Sequence, residues 1–251
     1  RRAVADARPD VVIHQLTAIP ERIDPRKMAR DFALTDRLRT EGTHILVDAA
    51  RAVGARIVAQ SIAFTYEPGP PGTVHTESDP LVADPPGGFR RTAAAAAELE
   101  HTVLGAGGQV LRYGYFYGPG TAVSRSGSIG RDVSRRRMPI VGGGTGVWSF
   151  IYIEDAASAT VAVLARGGTG VFNVVDDEPA PVREWLPVLA ESLGAPRPLR
   201  VPGWIARPLA GSWGVASMTS LQGASNALAK RELSWQPSYP SWREGFGRGL
   251  G

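Results

Sequence analysis

The sequence contains no cysteine and very little lysine, and each shortage excludes classes of site. Without cysteine there can be no disulfide, thiolate metal site or cysteine nucleophile. The four histidines do not have the spacing of metal ligands, so we expect no metal. Lys27 and Lys230 are the only lysines, which leaves arginine to supply nearly all of the positive charge.

Long apolar runs are also missing. No stretch approaches the roughly 20 apolar residues that a membrane-spanning helix needs, and the first residues lead into no apolar signal segment. We therefore expect a cytoplasmic protein with no membrane partner. With 251 residues and 43% hydrophobic content, the chain is long enough to bury a substantial core.

The positive net charge of +4 does not indicate a nucleic-acid partner. Phosphate binding needs clustered basic side chains, whereas the arginines here are scattered. The one dense run, residues 135–137, has no aromatic side chains interleaved with it on which bases could stack. We expect a small molecule as the partner and no nucleic acid, and the sequence leaves a homodimer open.

Short apolar runs rich in β-branched residues alternate with helical patterns. Four of these runs, at 11–13, 57–59, 110–111 and 171–175, are typical of strands buried on both faces of a parallel sheet. Strands that alternate with helices favour an α/β fold with a doubly wound parallel sheet.

The helices between these strands carry their own start and stop signals. Asp24 followed by Pro25 predicts a cap and a first helical position after the first strand. A helix over 92–104 is closed by Gly105, and another ends before Gly54. The apolar stripe of that last helix is predicted to be Ile45, Leu46, Ala49, Ala50 and Val53.

The C-terminal part of the chain changes character. A helical stripe runs over 182–193, and Pro187 within it predicts a late start or a kink. Beyond Gly194 the chain is rich in proline and tryptophan, which indicates a small, mostly helical lobe. A lobe packed over the edge of a parallel sheet is a common way to form a substrate cleft.

The glycine-rich loops do not qualify as phosphate loops. A phosphate-binding turn follows a strand and opens a helix, so that free N–H groups face the anion. The glycines at 142–146 precede a predicted strand over 147–153, which favours a hairpin or strand connection, and those at 105–108 separate a helix from a strand. We find no dinucleotide fingerprint.

Six segments, in order along the chain, resemble extended short-chain dehydrogenases of the NAD-dependent epimerase/dehydratase family. The first two are the PDVVIHQLTA segment at 9–18 and Gly42-Thr43 with the following helix. The other four are QSIAFTY at 60–66 within the strand end 59–66, LRYGYFYGPG at 111–120, FIYIED at 150–155 and KRELSWQP at 230–237.

The resemblance implies a Rossmann-like domain that binds NAD or NADP. In the family a glycine-rich turn and a selector residue precede the segment that begins here, so we expect an N-terminally incomplete sequence and cannot choose between the two cofactors. The implied division is a partial cofactor domain at 1–178, with 119–147 inserted into the substrate lobe, and a C-terminal substrate lobe at 179–251.

The family's catalytic tyrosine and lysine, spaced four apart, are absent. No tyrosine lies between Tyr66 and Tyr113, and no lysine between Lys27 and Lys230. The pair should fall near 89–93, in a register that the sequence does not fix. Ile62 takes the usual serine position, and the sequence shows no cation that could activate a tyrosine.

The resemblance still assigns candidate site residues. The resemblance leaves Ser61 and Tyr66 as candidate catalytic groups. The alternative for Tyr66 is that it only lines the pocket. The candidate cofactor contacts are His14, Leu16, Thr17, Ala18, Ser61, Tyr113, Gly114 and Phe116. The candidate substrate-pocket residues are Ile62, Tyr66, Tyr115 and Trp148.

Two of these residues bear on the substrate. In sugar-nucleotide members of the family, an asparagine and an arginine stand where this chain has Tyr115 and Trp148. Loss of a charged phosphate contact would leave a diphosphate poorly paired, which disfavours a nucleotide sugar and favours a weakly polar substrate. The alternative is that Trp148 simply packs beneath the C-terminal lobe.

We therefore expect an atypical NAD(P)-dependent oxidoreductase that acts on a small, weakly polar carbonyl or alcohol. Two alternatives stay open. One is a non-catalytic dinucleotide-binding sensor or scaffold, and the other is a nucleotide-sugar epimerase or dehydratase.

Overall fold

The computed structural model describes residues 1–24 and 26–251. Its strands are β1 (Val11–His14), β2 (Arg56–Ile62), β3 (Val74–His75), β4 (Gln109–Tyr113), β5 (Tyr115–Tyr117), β6 (Ile140–Val141), β7 (Val147–Trp148), β8 (Phe150–Tyr152), β9 (Gly170–Val174), β10 (Ala180–Pro181), β11 (Arg200–Val201) and β12 (Gly223–Ala224). Its helices are α1 (Arg2–Ala7), α2 (Met28–Asp31), α3 (Ala33–Arg37), α4 (Thr43–Val53), α5 (Arg90–Gly105), α6 (Ser128–Ser134), α7 (Ile153–Ala165), α8 (Val182–Ser192), α9 (Gly203–Thr219), α10 (Ala227–Leu233) and α11 (Trp242–Arg248). A π-helical turn, Leu38–Gly42, leads into α4. Within these residues, no helix combines the length and the apolarity that crossing a membrane requires.

The central sheet contains four parallel strands in the order β1-β2-β4-β9. These are the four apolar runs of the sequence, and the predicted α/β class with a parallel sheet is confirmed. The register aligns Ser61 of β2 with Arg112 of β4, and Arg112 with Asn173 of β9. A row of polar side chains therefore crosses an otherwise apolar sheet near its carboxyl edge.

Helices cover both faces of this sheet. On one face, α4 and α5 pack Val47, Leu99 and Val103 against Ile57 and Val110. Helices α7 and α10 pack against the other face. The buried residues of the sheet and of the elements around it that form this apolar cluster are Val58, Leu111, Tyr113, Ile151, Ala156, Ala159, Val163, Phe172, Val174, Ala229, Leu233 and Trp235. Burial on both faces explains why the strands are continuous apolar runs and not alternating ones.

The apolar stripe of α4 differs from the predicted one. Ala49 and Ala50 are buried as expected, but Ile45 is 44% exposed and Val47 points inward in its place. The inward stripe contains Thr43, Val47 and Ala50, which α5 and β2 cover, while Ile45 lies on the flank. The helix ends where predicted, because Gly54 adopts a left-handed φ of 74° that a side chain would strain.

Two local predictions were wrong. The helix α8 begins at Val182 and not late, although Pro187, its sixth residue, has no N–H to donate to the Arg183 carbonyl. The strand predicted over 147–153 is split into β7 and β8, and its last residue already begins α7. The glycines at 142–146 form a strand connection and not a hairpin, because β6 pairs with β11 and β7 pairs with β10.

The predicted helix start at Asp24 and Pro25 cannot be compared in full, because Pro25 lies outside the described residues. The next helix in the structure, α2, begins at Met28 and has Lys27 as its cap residue.

The C-terminal residues build a second core together with residues 117–152. Its largest members are aromatic, and the rings of Phe150, Trp185 and Phe246 meet edge to face. Helix α9 changes direction within this region at Gly211, whose φ of 65° and ψ of 176° lie outside the helical range.

Asp176 is buried beside this second core, and its ionisation should control part of the stability. It is 1% exposed, and its Oδ2 has no hydrogen-bond partner among the described residues. Burial raises the pKa of Asp176 well above its ordinary value of 3.8, and the nearby Glu178 and Asp177 raise it further. The folded state thus binds the proton more tightly than the unfolded state, so this contribution is full below the unfolded pKa and declines as pH rises through the folded pKa.

We expect Asp176→Asn, which removes that ionisation, to increase the free energy of unfolding relative to the parent protein, and to do so more at about pH 8 than at about pH 5. Urea unfolding at both pH values measures the difference. Asp48→Asn is the matched control, because Asp48 forms an exposed ion pair with Arg1 that is worth about 1 kcal/mol or less. A loss of stability in Asp176→Asn that is equal at both pH values would contradict this account.

Candidate active site

The carboxyl ends of β1, β2 and β4 lie side by side at one edge of the sheet, because the strands are parallel. Beyond β1 the chain runs without regular structure, and Leu16 and Ile19 are 52% and 44% exposed. Thr17 is exposed as well, and the Ala18 N–H donates to Thr35 Oγ1 at 3.0 Å. The predicted contacts Leu16, Thr17 and Ala18 therefore form an open apolar strip at the edge where open α/β sheets bind dinucleotides.

His14, at the end of β1, has a buried ring that is fully engaged. Its Nδ1 accepts the Leu16 N–H at 3.3 Å, and its Nε2 lies 3.0 Å from Thr43 Oγ1, which itself donates to the Arg39 carbonyl. These partners define a neutral ring with its proton on Nε2. Burial lowers the pKa of His14, which agrees with that state. Only the backbone of His14 is left to contact a ligand.

The end of β4 is packed closely. Tyr113 is buried, and its hydroxyl bonds to Thr160 at 2.6 Å, so its side chain faces α7. A Cβ on Gly114 would stand 2.5 Å from the Ser149 carbonyl oxygen, which explains why only glycine fits there. Phe116 is half-buried and tilts against the Tyr113 ring. As at His14, the backbone atoms of Tyr113 and Gly114, and not their side chains, would make any contact with the cofactor.

Ser61 and Tyr66 belong to one buried polar network that the sequence did not reveal. The Glu100 carboxylate accepts from Ser61 Oγ at 2.6 Å and from Arg112 Nη2 at 2.6 Å. Arg112 Nη1 donates to the Tyr66 hydroxyl at 2.8 Å, and that hydroxyl donates to Asn173 Oδ1 at 2.6 Å. The sequence showed no cation near any tyrosine, so the contact between Arg112 and Tyr66 is a correction.

This network holds both predicted catalytic hydroxyl groups in place. Ser61 is fully buried and its proton points to Glu100, away from the sheet edge. Burial raises the pKa of Tyr66 above its ordinary value of 10.0, although Arg112 opposes the shift. Neither hydroxyl is free to give a proton to a substrate, which argues against the catalytic roles assigned to them from the sequence.

The network also shows which side of α5 faces the sheet. Glu100 contacts β2, and the residues one and two turns earlier on the same stripe are Ala96 and Thr92. Both are buried, and Ala96 packs in the same cluster as Ile62. Thr92 and Ala96 thus have the four-residue spacing of the family's tyrosine and lysine on the buried face of α5, near Ile62, which we place at the position of its serine. None of these three side chains can replace the missing acid.

A second buried polar pair lies next to Thr92. Asp36 Oδ2 accepts from Thr92 Oγ1 at 3.4 Å, while Asp36 Oδ1 and Arg39 Nη1 have no partner among the described residues. Arg39 lies on the π-helical turn Leu38–Gly42, a geometry that recurs at functional sites. Burial raises the pKa of Asp36 and lowers that of Arg39.

An apolar cleft opens between the segment that follows β2 and the C-terminal lobe. The cleft is narrow and partly open to solvent. Its lining residues are Phe64, Tyr66, Pro68, His75, Val82, Pro85, Pro86, Trp213, Ala216, Ser220, Leu221 and Gln222. We call this set the aromatic cleft.

A column of stacked rings supports the wall of the aromatic cleft. Trp213 stacks on Phe89 with 3.8 Å between ring centroids, and Phe64 stacks on Tyr115 at 4.4 Å. Tyr115 in turn stacks on Trp148 at 3.9 Å, and the Trp148 Nε1 donates to the Ser217 carbonyl. The predicted pocket residues Tyr115 and Trp148 thus lie behind the lining, and only Tyr66 of the predicted set reaches the cleft itself.

A second, larger and more open groove lies beside α10. Its charged groups satisfy one another, since Asp177 pairs with Lys230 at 2.9 Å and accepts from Asn226 at 2.7 Å. Among the described residues no three histidine, aspartate or glutamate side chains gather as metal ligands would. The aromatic cleft, next to the carboxyl edge of β2, is therefore the candidate active site.

A parallel sheet covered by helices on both faces, with a cleft near its carboxyl edge, is the arrangement of dinucleotide-fold proteins. The chain belongs to the NAD dependent epimerase/dehydratase family, whose model matches residues 1–174. This family depends on NAD or NADP.

Among curated proteins, the chain is 48% identical over 252 residues to a 3-diazoavenalumate denitrifying reductase from a Streptomyces species. That match covers 98% of this chain and 81% of the relative. The chain is also 25% identical over 204 residues to a 3beta-hydroxysteroid-dehydrogenase/decarboxylase isoform 1 from Arabidopsis thaliana, covering 74% of the chain and 46% of that protein.

Solved structures share the fold. The human epimerase family protein SDR39U1, solved with NADPH, has a TM-score of 0.75 at 17% identity, covering 96% of this chain and 78% of its own. The Thermus thermophilus UDP-glucose 4-epimerase in complex with NAD has a TM-score of 0.72 at 25% identity, covering 99% and 79%.

Proposed function

We propose that this chain belongs to an NAD(P)H-dependent reductase that removes the diazo group of a small aromatic compound as dinitrogen. The observation that carries the proposal is that Ile62, Thr92 and Ala96 stand where we place the family's serine, tyrosine and lysine, and none of the three is an acid. The relative at 48% identity, whose name states a diazo substrate and a denitrifying reduction, supports the same chemistry.

The proposed reaction does not need the missing acid. When a carbonyl is reduced, the oxygen becomes an alkoxide that must receive a proton, which is the task of the family's tyrosine and lysine. When an arenediazonium ion is reduced, the ring carbon gains hydride as a new C–H bond. The C–N bond breaks and its electron pair leaves with N₂. Charge and atoms balance without a proton from the protein.

The aromatic cleft suits such a substrate. Flat cations bind well against the faces of aromatic rings, and the lining includes the rings of Phe64, Tyr66 and Trp213. The stacking of each ring on a second ring holds it in one orientation. The mostly apolar lining also limits the access of water, which would otherwise displace N₂ from the same carbon.

The residues at the sheet edge fit the nicotinamide half of the cofactor. A bound reduced nicotinamide would supply the hydride. The exposed side chains of Leu16 and Ile19 offer apolar surface for its ring, and Ile62 lies at the end of the neighbouring strand. No glycine-rich turn between a strand and a helix occurs among the described residues, so we assign them no pyrophosphate contact.

We further propose that the chain divides functionally as its sequence suggested, with 1–178 as the cofactor part and 119–147 together with 179–251 as the substrate lobe. Support comes from the second core, which joins Val123, Val133 and Ile140 to Leu186 and Trp242. That core borders the aromatic cleft through α9.

The proposal is tested by following cofactor oxidation and gas release together in the protein that contains this chain. With a substituted arenediazonium salt we expect one N₂ and one arene for each NAD(P)H oxidised, and no comparable turnover of aromatic aldehydes or ketones. Cofactor binding without turnover of any acceptor would instead favour a sensor, and turnover of a nucleoside diphosphate sugar would favour an epimerase or dehydratase. Either outcome refutes the reductase.

A further inference from the structure

His75 lies in β3, on the segment that joins β2 to α5, and forms part of the lining of the aromatic cleft. Its ring is 4% exposed and stacks on the Tyr66 ring, with 4.8 Å between centroids and 12° between planes. Both ring nitrogens have hydrogen-bond partners, and the identity of those partners determines how many protons the ring carries.

The partner of Nε2 is Gln222, whose amide can face only one way. Its Nε2 donates to the carbonyl oxygens of Gly69 and Pro70 at 2.9 and 2.8 Å, and its Oε1 accepts the Gly69 N–H at 2.6 Å. The reverse orientation would set donor against donor and acceptor against acceptor. The same Oε1 lies 3.0 Å from His75 Nε2, so this ring nitrogen must carry a proton.

The partner of Nδ1 is the Asp79 carboxylate, whose Oδ2 lies 3.1 Å away. The same oxygen accepts the Thr76 N–H at 2.8 Å, and this backbone bond lowers the pKa of Asp79, with the His75 contact adding to the effect. An ionised carboxylate accepts only, so Nδ1 must carry a proton as well. With both nitrogens donating, the ring is an imidazolium.

We propose that His75 is a positioning residue, held as an imidazolium, that joins the two walls of the aromatic cleft. One wall is the segment around Asp79, and the other is the lobe segment that contains Gln222. The second ring proton allows His75 to donate to Asp79 and to Gln222 at the same time. His75 also lies where β3 pairs with β12. The charged groups that face it are Asp79 and, across the Tyr66 ring, Arg112, whose Cζ lies 5.0 Å from that ring centroid.

The first test is the protonation state of the ring in the ligand-free protein. Nitrogen-15 NMR of the ring at pH 7.5 should show both His75 nitrogens protonated. Asp79→Asn, which removes the negative charge that Nδ1 faces, should convert the ring to the neutral form with its proton on Nε2. A neutral His75 ring in the unmodified protein would overturn the inference.

The second test is kinetic, and it rests on the proposed function because it needs the diazonium substrate. His75→Gln and Asp79→Asn should each raise KM about tenfold, with kcat changed about threefold or less, since the loss of one charged hydrogen bond loosens the cleft and not the hydride step. His44→Gln is the matched control, because His44 also pairs with a carboxylate, that of Glu98, but is exposed. A KM unchanged in both cleft variants would refute the positioning role.

The two tests separate this inference from the proposed function. The NMR result needs neither cofactor nor substrate. If the ring is doubly protonated but no diazonium is reduced, the proposed function fails, and His75 is then tested by the affinity of the cleft for a neutral aromatic probe such as naphthol. Equal affinity in the parent protein and in Asp79→Asn would overturn the positioning role there too.

Discussion

Replacing Glu100 by methionine should lower the free energy of unfolding by about 3–5 kcal/mol, because it leaves the Arg112 guanidinium buried without its counter-ion. The pair is almost free of solvent, with side-chain exposures of 4% and 6%, and three N–H···O contacts join the two groups. The same substitution removes the acceptor of the Ser61 hydroxyl.

A double-mutant cycle tests the cause. Glu100→Met combined with Arg112→Met should recover much of the loss, since neither charge then remains buried. Glu98→Met on the same helix is the matched control, because Glu98 is about half exposed, pairs only with His44 and should change stability by about 1 kcal/mol or less. If Glu100→Met and Glu98→Met cost the same in urea unfolding, the network does not have the role described.

Trp213→Ala should raise KM for an aromatic substrate about 30-fold, which corresponds to about 2 kcal/mol of lost binding. Trp213 lines the aromatic cleft and stacks on Phe89, so its removal opens the wall and exposes the cleft to water. The effect should fall on KM more than on kcat, because the indole contacts substrate and transition state alike.

Trp204→Ala provides the matched control for that experiment. Trp204 begins the same helix, α9, but is 77% exposed and is absent from the cleft. Its replacement should leave both KM and kcat within about twofold of the parent values. Equal kinetic effects of the two substitutions would show that the aromatic cleft is not the substrate site.

The fold was largely predictable because buried strands are short runs of apolar residues, which can be recognised in the sequence. Residues 57–59 and 110–111 are apolar at every position and buried, as strands covered on both faces must be, and all four predicted runs form the sheet. Errors arose where the neighbours of an element decide its details. Ile45 lies on the flank of α4 because α5 and β2 cover a stripe centred on Val47, and no helical periodicity specifies which of two adjacent stripes will be covered.

The candidate site was less predictable, because its contacts join segments that are distant in the chain. Arg112 in an apolar strand and Glu100 in an alanine-rich helix were each signals of a buried charge, but nothing local pairs them. Trp213 and Gln222 reach the cleft from beyond a kink in α9, and the role of His75 depends on how the Gln222 amide is held. What the sequence did show was the absence of a tyrosine and lysine spaced four apart, and on the buried face of α5 the positions with that spacing are Thr92 and Ala96.

The central claim is that hydride replaces dinitrogen at an aromatic carbon without help from a protein acid. The most direct measurement is the fate of deuterium when the protein reduces an arenediazonium ion with cofactor deuterated at the nicotinamide C4. With cofactor deuterated on one face of C4, in ordinary water, we expect the deuterium to appear on the carbon that carried N₂. With unlabelled cofactor in D₂O, we expect no deuterium at that carbon. Label that enters from the solvent, or an arene formed without loss of deuterium from the cofactor, would contradict the account.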